Sequence, residues 1–242
     1  MGRLRTIDQA DLVGKRVLVR VDLNVPIENG RVSDKTRIDR VLPTIREITS
    51  KGGKAILLSH FGRPQGRDAK NSLEPVAGAV ADGLGSGVLF HQDCIGDGVR
   101  SAVDRLANGA VMVLENTRFH SGEVENCPAF AKALAANGDV YVNDAFSVAH
   151  RAHASTVGVA RLLPAYAGRA MQAEIEALLA ALEDPKHPVA ALVGGAKIST
   201  KLPILQHLVG KVDYLIVGGA MANTFLLAWG LEVGRSLVEP KL

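Results

Sequence analysis

Seven side chains in the first 151 residues have the chemistry to hold a small polyanion: Asp22, Asn24, Arg37, His60, Arg63, Arg118 and Arg151. Asp22 and Asn24 stand two apart beyond an apolar run, so in extended chain they share a face. A carboxylate and an amide so placed can orient a hydroxyl group between an acceptor and a donor. His60 and Arg63 flank Gly62, which allows close approach of the backbone to a ligand. Arg37, Arg118 and Arg151 lie on other segments, and convergent guanidinium groups would hold phosphate or carboxylate at about 1.5–3 kcal/mol per charge-assisted contact. Singly, each has a plainer reading. Asp22, Asn24 and Pro26 suit a turn, His60 a hydrogen-bonded structural histidine, and any one arginine a solvated surface charge.

A second group lies further along, in Gly194-Gly195-Ala196-Lys197-Ile198-Ser199. Small residues at a strand-to-helix turn let backbone amides approach an anion, and Lys197 and Lys201, four apart, would add charge on one helical face. A tight turn with two surface lysines is the competing reading. The spacing is not that of the GxxxxGK[ST] phosphate loop, and Gly83-Leu84-Gly85-Ser86-Gly87 lacks the third glycine of GxGxxG and follows a helical pattern. A nicotinamide-dependent α/β enzyme is disfavoured on that ground.

The elements that must position these groups are apolar runs ending abruptly in polar residues. Val17 to Val21 leads into Asp22, Lys54 to His60 into Phe61-Gly62-Arg63-Pro64, Val111 to Leu114 into Glu115, and Val140 to Val142 into Asn143. Between them run helical patterns over Lys35 to Ser50, Ser72 to Gly83 and Ala129 to Ala136. The alternation predicts parallel βαβ units in an α/β protein, with sheets covered on both faces. Open α/β sheets bind ligands beyond the carboxyl ends of their strands, so the polar groups there read as one composite site. Ala167 to Glu183 has the strongest helix propensity in the chain and Asp184 to Pro188 stops it, which predicts a connecting helix between two domains. Val189 to Val193 and Tyr214 to Val217 then begin a second sheet, with too little chain following to cover it on both faces. The expected division is residues 1–166, a helix over 167–184, and an incomplete second domain over 185–242.

Composition narrows the function classes. The 242-residue chain is 47% apolar, without an uninterrupted apolar run long enough for a membrane span or a secretory leader. The cytoplasm is the expected compartment. Cys94 and Cys127 have neither CxxC nor metal-ligand spacing and read as reduced thiols without a role. The net charge is +3, but the basic residues are interspersed with acids and aromatics make up only 4%, which argues against nucleic-acid binding.

Five ordered motifs carry a resemblance. Arg20-Val21-Asp22-Leu23-Asn24-Val25-Pro26, Ser59-His60-Phe61-Gly62-Arg63-Pro64, Leu114-Glu115-Asn116-Thr117-Arg118-Phe119, Asn143-Asp144-Ala145-Phe146 with Ala149-His150-Arg151-Ala152-His153, and Gly194-Gly195-Ala196-Lys197 are similar to the signatures of the phosphoglycerate kinases. The resemblance covers essentially the whole chain. It implies two three-layer, Rossmann-like α/β domains flanking a cleft, and reversible phosphoryl transfer between 1,3-bisphosphoglycerate and ADP, giving 3-phosphoglycerate and ATP in glycolysis. It assigns Asp22, Asn24, Arg37, His60, Arg63, Arg118 and Arg151 to the 3-phosphoglycerate site. Lys197 and Arg37 take the catalytic roles, and Gly195, Ala196, Lys201 and Gly219 the nucleotide side. Magnesium is implied as the nucleotide's companion, with no metal ligand assigned in this chain, and the parent enzyme is expected to be a monomer. A family Gly-Gly-Gly-Asp type segment is absent, and Ala220 stands where many members carry a third glycine. The chain therefore reads as a truncated kinase, or as a 3-phosphoglycerate-binding module without turnover.

Overall fold

The structure, a computed structural model, describes residues 4–183 and 185–240. The ten strands are β1 (Arg16–Arg20), β2 (Ile27–Glu28), β3 (Arg31–Val32), β4 (Lys54–Leu58), β5 (Val88–His91), β6 (Val111–Leu114), β7 (Val140–Asn143), β8 (Ala165–Ala167), β9 (Ala190–Gly194) and β10 (Tyr214–Gly218) among the described residues. The α-helices are α1 (Thr36–Ser50), α2 (Glu74–Leu84), α3 (Asp97–Asp104), α4 (Pro128–Ala135), α5 (Arg169–Leu182), α6 (Leu202–Val209) and α7 (Ala220–Ala228). The chain forms two compact units, residues 1–175 and 176–242, and the division falls inside α5.

The first unit is built on a six-stranded sheet in the order β5-β6-β4-β1-β7-β8, every pairing parallel. Its central strands are apolar between their end residues because both faces are covered. Val17 and Val19 of β1 face a core with Ile38, Val41, Ile45 and Ile48 of α1 and Val76 and Val80 of α2. Leu18 points the other way, to Val99 and Val103 of α3 and Phe130 and Leu134 of α4. This is the expected three-layer α/β arrangement. Pro43 sits on the exposed face of α1, where the carbonyl left without its helical donor can meet water.

Several local expectations are corrected. Helix α2 begins at Glu74 rather than Ser72, because the Ser72 hydroxyl and the Leu73 N–H both donate to the Glu115 carboxylate, at 2.7 and 2.8 Å. Ala167 is not helical: it ends β8, paired beside Asn143, and the connecting helix starts at Arg169. Asp184, in the run expected to stop that helix, lies outside the described residues.

The second unit pairs β9 with β10 in parallel. Helices α6 and α7 cover one face through Leu205, Met221 and Phe225, while Leu192, Tyr214 and Ile216 of the strands are exposed.

Candidate functional site

In a parallel sheet all carboxyl ends lie along one edge, and here that edge collects the polar groups. Just beyond β1, the buried Asp22 carboxylate accepts hydrogen bonds from Arg37 at 2.9 Å, the Ser147 hydroxyl at 2.6 Å and the Asn24 N–H at 3.1 Å. Burial raises the pKa of Asp22, but these three donors outweigh it and hold the carboxyl below the ordinary aspartate value. Arg37, at the start of α1, also donates to the Asn24 carbonyl at 3.0 Å and leaves half its side chain exposed. Asn24 ties this corner to the next strand end, its Oδ1 accepting from the Gly62 N–H at 2.9 Å.

The loop after β4 needs glycine at position 62. Its φ is +58°, and a Cβ there would stand 2.1 Å from Asn71 Oδ1. Asn116, after β6, fixes the same loop: it accepts from the N–H groups of Phe61 and Arg118 and donates to the carbonyls of Phe61 and Asn71. Its hydrogen-bonding capacity is used within the protein, so it shapes the site rather than offering itself to a ligand.

Arg63, Arg118 and Arg151 line one pocket of about 430 Å³, and none of them makes an ion pair with a described carboxylate. Arg118 donates to the Gly62 carbonyl at 2.6 Å, but its Nε, like the Nε of Arg151, is buried without a partner. Burial, then the charges of Arg151 and Arg20, push the Arg118 pKa down. Three cations in one pocket with no described carboxylate at ion-pair distance, Glu125 being the acid that also lines the pocket, form a site complementary to an anion, and the two sealed Nε atoms are donors the fold itself leaves unsatisfied. Asp22 and Arg37 line a separate hollow of about 260 Å³ with Arg40, Asp144, Ser147 and Glu174.

His60 lies under this edge, only 6% exposed. Burial and the cations Arg20, Arg118 and Arg151 lower its pKa to about 3 against the opposing pull of Asp22. The ring is therefore neutral at physiological pH. Its Nδ1 faces Arg20 Nη2 at 3.1 Å. Arg20 itself is fully buried at the end of β1; in the sequence it opens a motif without a task assigned to it, because a single arginine ordinarily reads as a solvated charge. Ser147 was missed too, since an isolated serine carries no spacing signal.

In the second unit Gly195, Ala196, Lys197, Lys201 and Gly219 lie on the loops after β9 and β10, which touch each other. The Met221 N–H donates to the Gly195 carbonyl at 3.0 Å. Gly219 has φ +66°, and a Cβ on it would be 3.2 Å from the same carbonyl, so glycine is needed for this approach. One expectation fails here. Lys197 and Lys201 do not share a helical face, because α6 begins only at Leu202; Pro203, which lacks an N–H, belongs to its first turn, and residues 195–201 precede the helix as loop and turn. Lys197 is exposed and Lys201 half-buried.

Asp93, Cys94 and His120 bring three potential metal-binding atoms within 4.8 Å of one another. Asp93 and His120 pair with each other at 2.8 Å, Asp93 also pairs with Arg67 at 2.9 Å, and burial pushes the Cys94 thiol well up.

Residues 7–242 match the sequence model of the phosphoglycerate kinase family. The chain belongs to that family. It is 65% identical over 242 residues to the phosphoglycerate kinase of Azorhizobium caulinodans and 65% identical over 239 residues to that of Xanthobacter flavus. These alignments take in 100% and 98% of this chain but 61% and 60% of the relatives. The structure of phosphoglycerate kinase from Coxiella burnetii superposes with a TM-score of 0.87 at 41% identity, covering 99% of this chain and 60% of that one. That from Pyrococcus horikoshii gives 0.83 at 34% identity, over 96% and 59%. The chain thus spans about three fifths of the length of the phosphoglycerate kinases it matches. No described helix is long and apolar enough to cross a membrane.

Proposed function

We propose that this chain carries the 3-phosphoglycerate side and the first nucleotide-phosphate loops of a phosphoglycerate kinase, which moves a phosphoryl group between 1,3-bisphosphoglycerate and ADP. The observation that supports this most is the arginine pocket: Arg63, Arg118 and Arg151 converge without carboxylate partners, and two of their Nε atoms are buried with no acceptor. A substrate bearing a carboxylate and a phosphate at the two ends of a three-carbon chain would meet guanidinium groups here. Asp22, through its acceptor oxygens, and Arg37 would orient the hydroxyl and the carboxyl end.

In the direction of ATP use, a substrate carboxylate oxygen attacks the terminal phosphorus, and the bond to ADP breaks as the new acyl phosphate bond forms. Charge spreads over the transferring oxygens, so the protein's contribution is position and positive charge. Lys197 is assigned to the phosphoryl group in flight, Arg37 to the attacking carboxylate, and Lys201 to the nucleotide phosphates. Gly195, Ala196 and Gly219 keep the backbone open for close approach to the nucleotide. A nucleotide-borne magnesium ion finds no free carboxylate on these loops: Glu239, beside them, already accepts from the Ser199 N–H at 3.0 Å and hydroxyl at 2.6 Å. The described residues therefore do not make a magnesium site, and no step is assigned to the ion. A monomeric, cytoplasmic enzyme of glycolysis follows from the same reading.

Calorimetric titration with 3-phosphoglycerate and with glycerate, at two salt concentrations, tests the binding half. Saturable, salt-weakened binding of the phosphorylated compound alone is expected, and equal affinity for both would overturn the site. A coupled ATP assay tests transfer: turnover supports the kinase, whereas binding without turnover leaves only a substrate-binding module.

A further inference from the structure

Arg20 is wholly buried, yet no carboxylate among the described residues pairs with it. Its Nε donates to the Ser155 hydroxyl at 2.8 Å, Nη1 donates to the Val21 carbonyl, and Nη2 faces His60 Nδ1 at 3.1 Å. Its countercharge is one residue away: the equally buried Glu123 accepts from the Ser155 hydroxyl at 2.5 Å and from the Ser155 N–H at 2.9 Å. Ser155 is presented by a π-helical turn, Ala154–Gly158, and anchored by the Tyr141 hydroxyl, which donates to the Ser155 carbonyl at 2.9 Å. Such turns often mark functional positions in helices.

The direction of each hydrogen bond in this chain is fixed by chemistry. An ionised carboxylate only accepts, so the Ser155 hydroxyl points its proton at Glu123 and turns a lone pair to Arg20. A guanidinium only donates, so the His60 nitrogen facing Arg20 must accept. The single proton of the neutral ring is then on Nε2, which has no hydrogen-bond partner among the described residues and is not among the sealed, unsatisfied atoms. We infer that Arg20, held by Ser155 and Glu123, is a positioning residue that fixes His60 as its neutral Nε2–H tautomer, an uncharged N–H donor within the field of Arg118 and Arg151 that an anion held by those arginines would use. The titratable and charged groups acting on the ring are Arg20, Arg118 and Arg151, which oppose its protonation, and Asp22, which favours it. The ligand half of this inference rests on the proposed function; the tautomer half does not.

The two halves are read separately in one experiment. Long-range proton–nitrogen correlation spectra of the ligand-free chain, labelled with ¹⁵N-histidine, report the tautomer directly. His60 is expected to show a protonated Nε2 and an unprotonated Nδ1, unchanged from pH 5 to 9. A proton on Nδ1, or a ring that titrates near pH 6.5, would overturn the inference. Ser155→Ala cuts the link between Arg20 and Glu123 without touching His60: a mixed tautomer or a ring that titrates above pH 5 is expected, with 3-phosphoglycerate binding weakened about 3- to 10-fold. An unchanged His60 spectrum in that variant would remove the positioning role from the relay. If the wild-type tautomer is as stated but 3-phosphoglycerate shifts the Arg63, Arg118 and Arg151 amide signals of uniformly labelled chain and no His60 signal, the tautomer half stands and the ligand half is overturned; if it shifts none of them, the proposed function fails.

Discussion

Replacing Arg118 by methionine separates what this side chain does for binding from what it does for the fold. Among the described residues the Arg118 side chain makes one hydrogen bond, to the Gly62 carbonyl at 2.6 Å, and its Nε is buried without a partner. Its charge is opposed by burial and by Arg151, Arg20 and Arg63, against the favourable pull of Glu123. Losing a charge-assisted bond to a backbone carbonyl costs about 1.5 kcal/mol, whereas removing an uncompensated cation and an orphaned donor returns a similar amount. Methionine keeps much of the aliphatic stem. The stability change in Arg118→Met is therefore expected within about 1 kcal/mol of zero by urea unfolding. For 3-phosphoglycerate the same substitution removes a charge-assisted contact of about 1.5–3 kcal/mol, an affinity loss on the order of 10- to 150-fold by calorimetry. Affinity within twofold of wild type would refute the anion site. A stability loss above about 2 kcal/mol would show that Arg118 is structural and that the like-charge argument is wrong.

Three further outcomes follow from the geometry. Gly168→Ala places a Cβ 2.3 Å from Asp144 Oδ1 at the entry to α5, so a destabilisation of about 1–3 kcal/mol is expected in urea unfolding, and a neutral result would mean the two loops are free to part. Asp22 and Asp144 should respond oppositely to acid. The pKa of Asp22 is held down, so its stabilisation is present above the unfolded value near 4 and lost as pH falls through the folded one; burial raises that of Asp144, whose contribution is full below the unfolded value and lost as pH rises through the folded one. Carboxyl carbon NMR titrations should place Asp22 below and Asp144 above the ordinary value, and the reverse order would contradict the assigned hydrogen bonds. In a thiol-reagent time course on the native chain, Cys127 should react and Cys94, fully buried with a raised pKa, should react only on unfolding.

Much of the fold was legible because the central strands are apolar on both faces and end in polar residues. Val17–Val21 leading into Asp22, and the run into His60, needed no tertiary information to read as strand ends at a site. Where burial is partial the signal fails: β5 has an exposed Leu89, and β8 is two alanines around a tyrosine, so neither stands out from a loop. The positions of Arg63, Arg118 and Arg151 were legible from type and spacing, but their division from Asp22 and Arg37 into two hollows depends on loop geometry. The Arg20–Ser155–Glu123 relay joins residues 135 and 32 apart in sequence and leaves no periodic trace. Lys197 and Lys201 were placed on one helical face by their spacing, and Pro203 moved the helix start beyond both.

The most direct test of the account is an amide NMR titration of the chain with 3-phosphoglycerate. Saturable shifts at Asn24, Gly62, Arg63, Arg118 and Arg151, absent in Arg118→Met at the same ligand concentration, are the predicted result. A folded, well-dispersed spectrum that ignores the ligand at these positions would contradict the claim that the carboxyl edge of this sheet is an anion site.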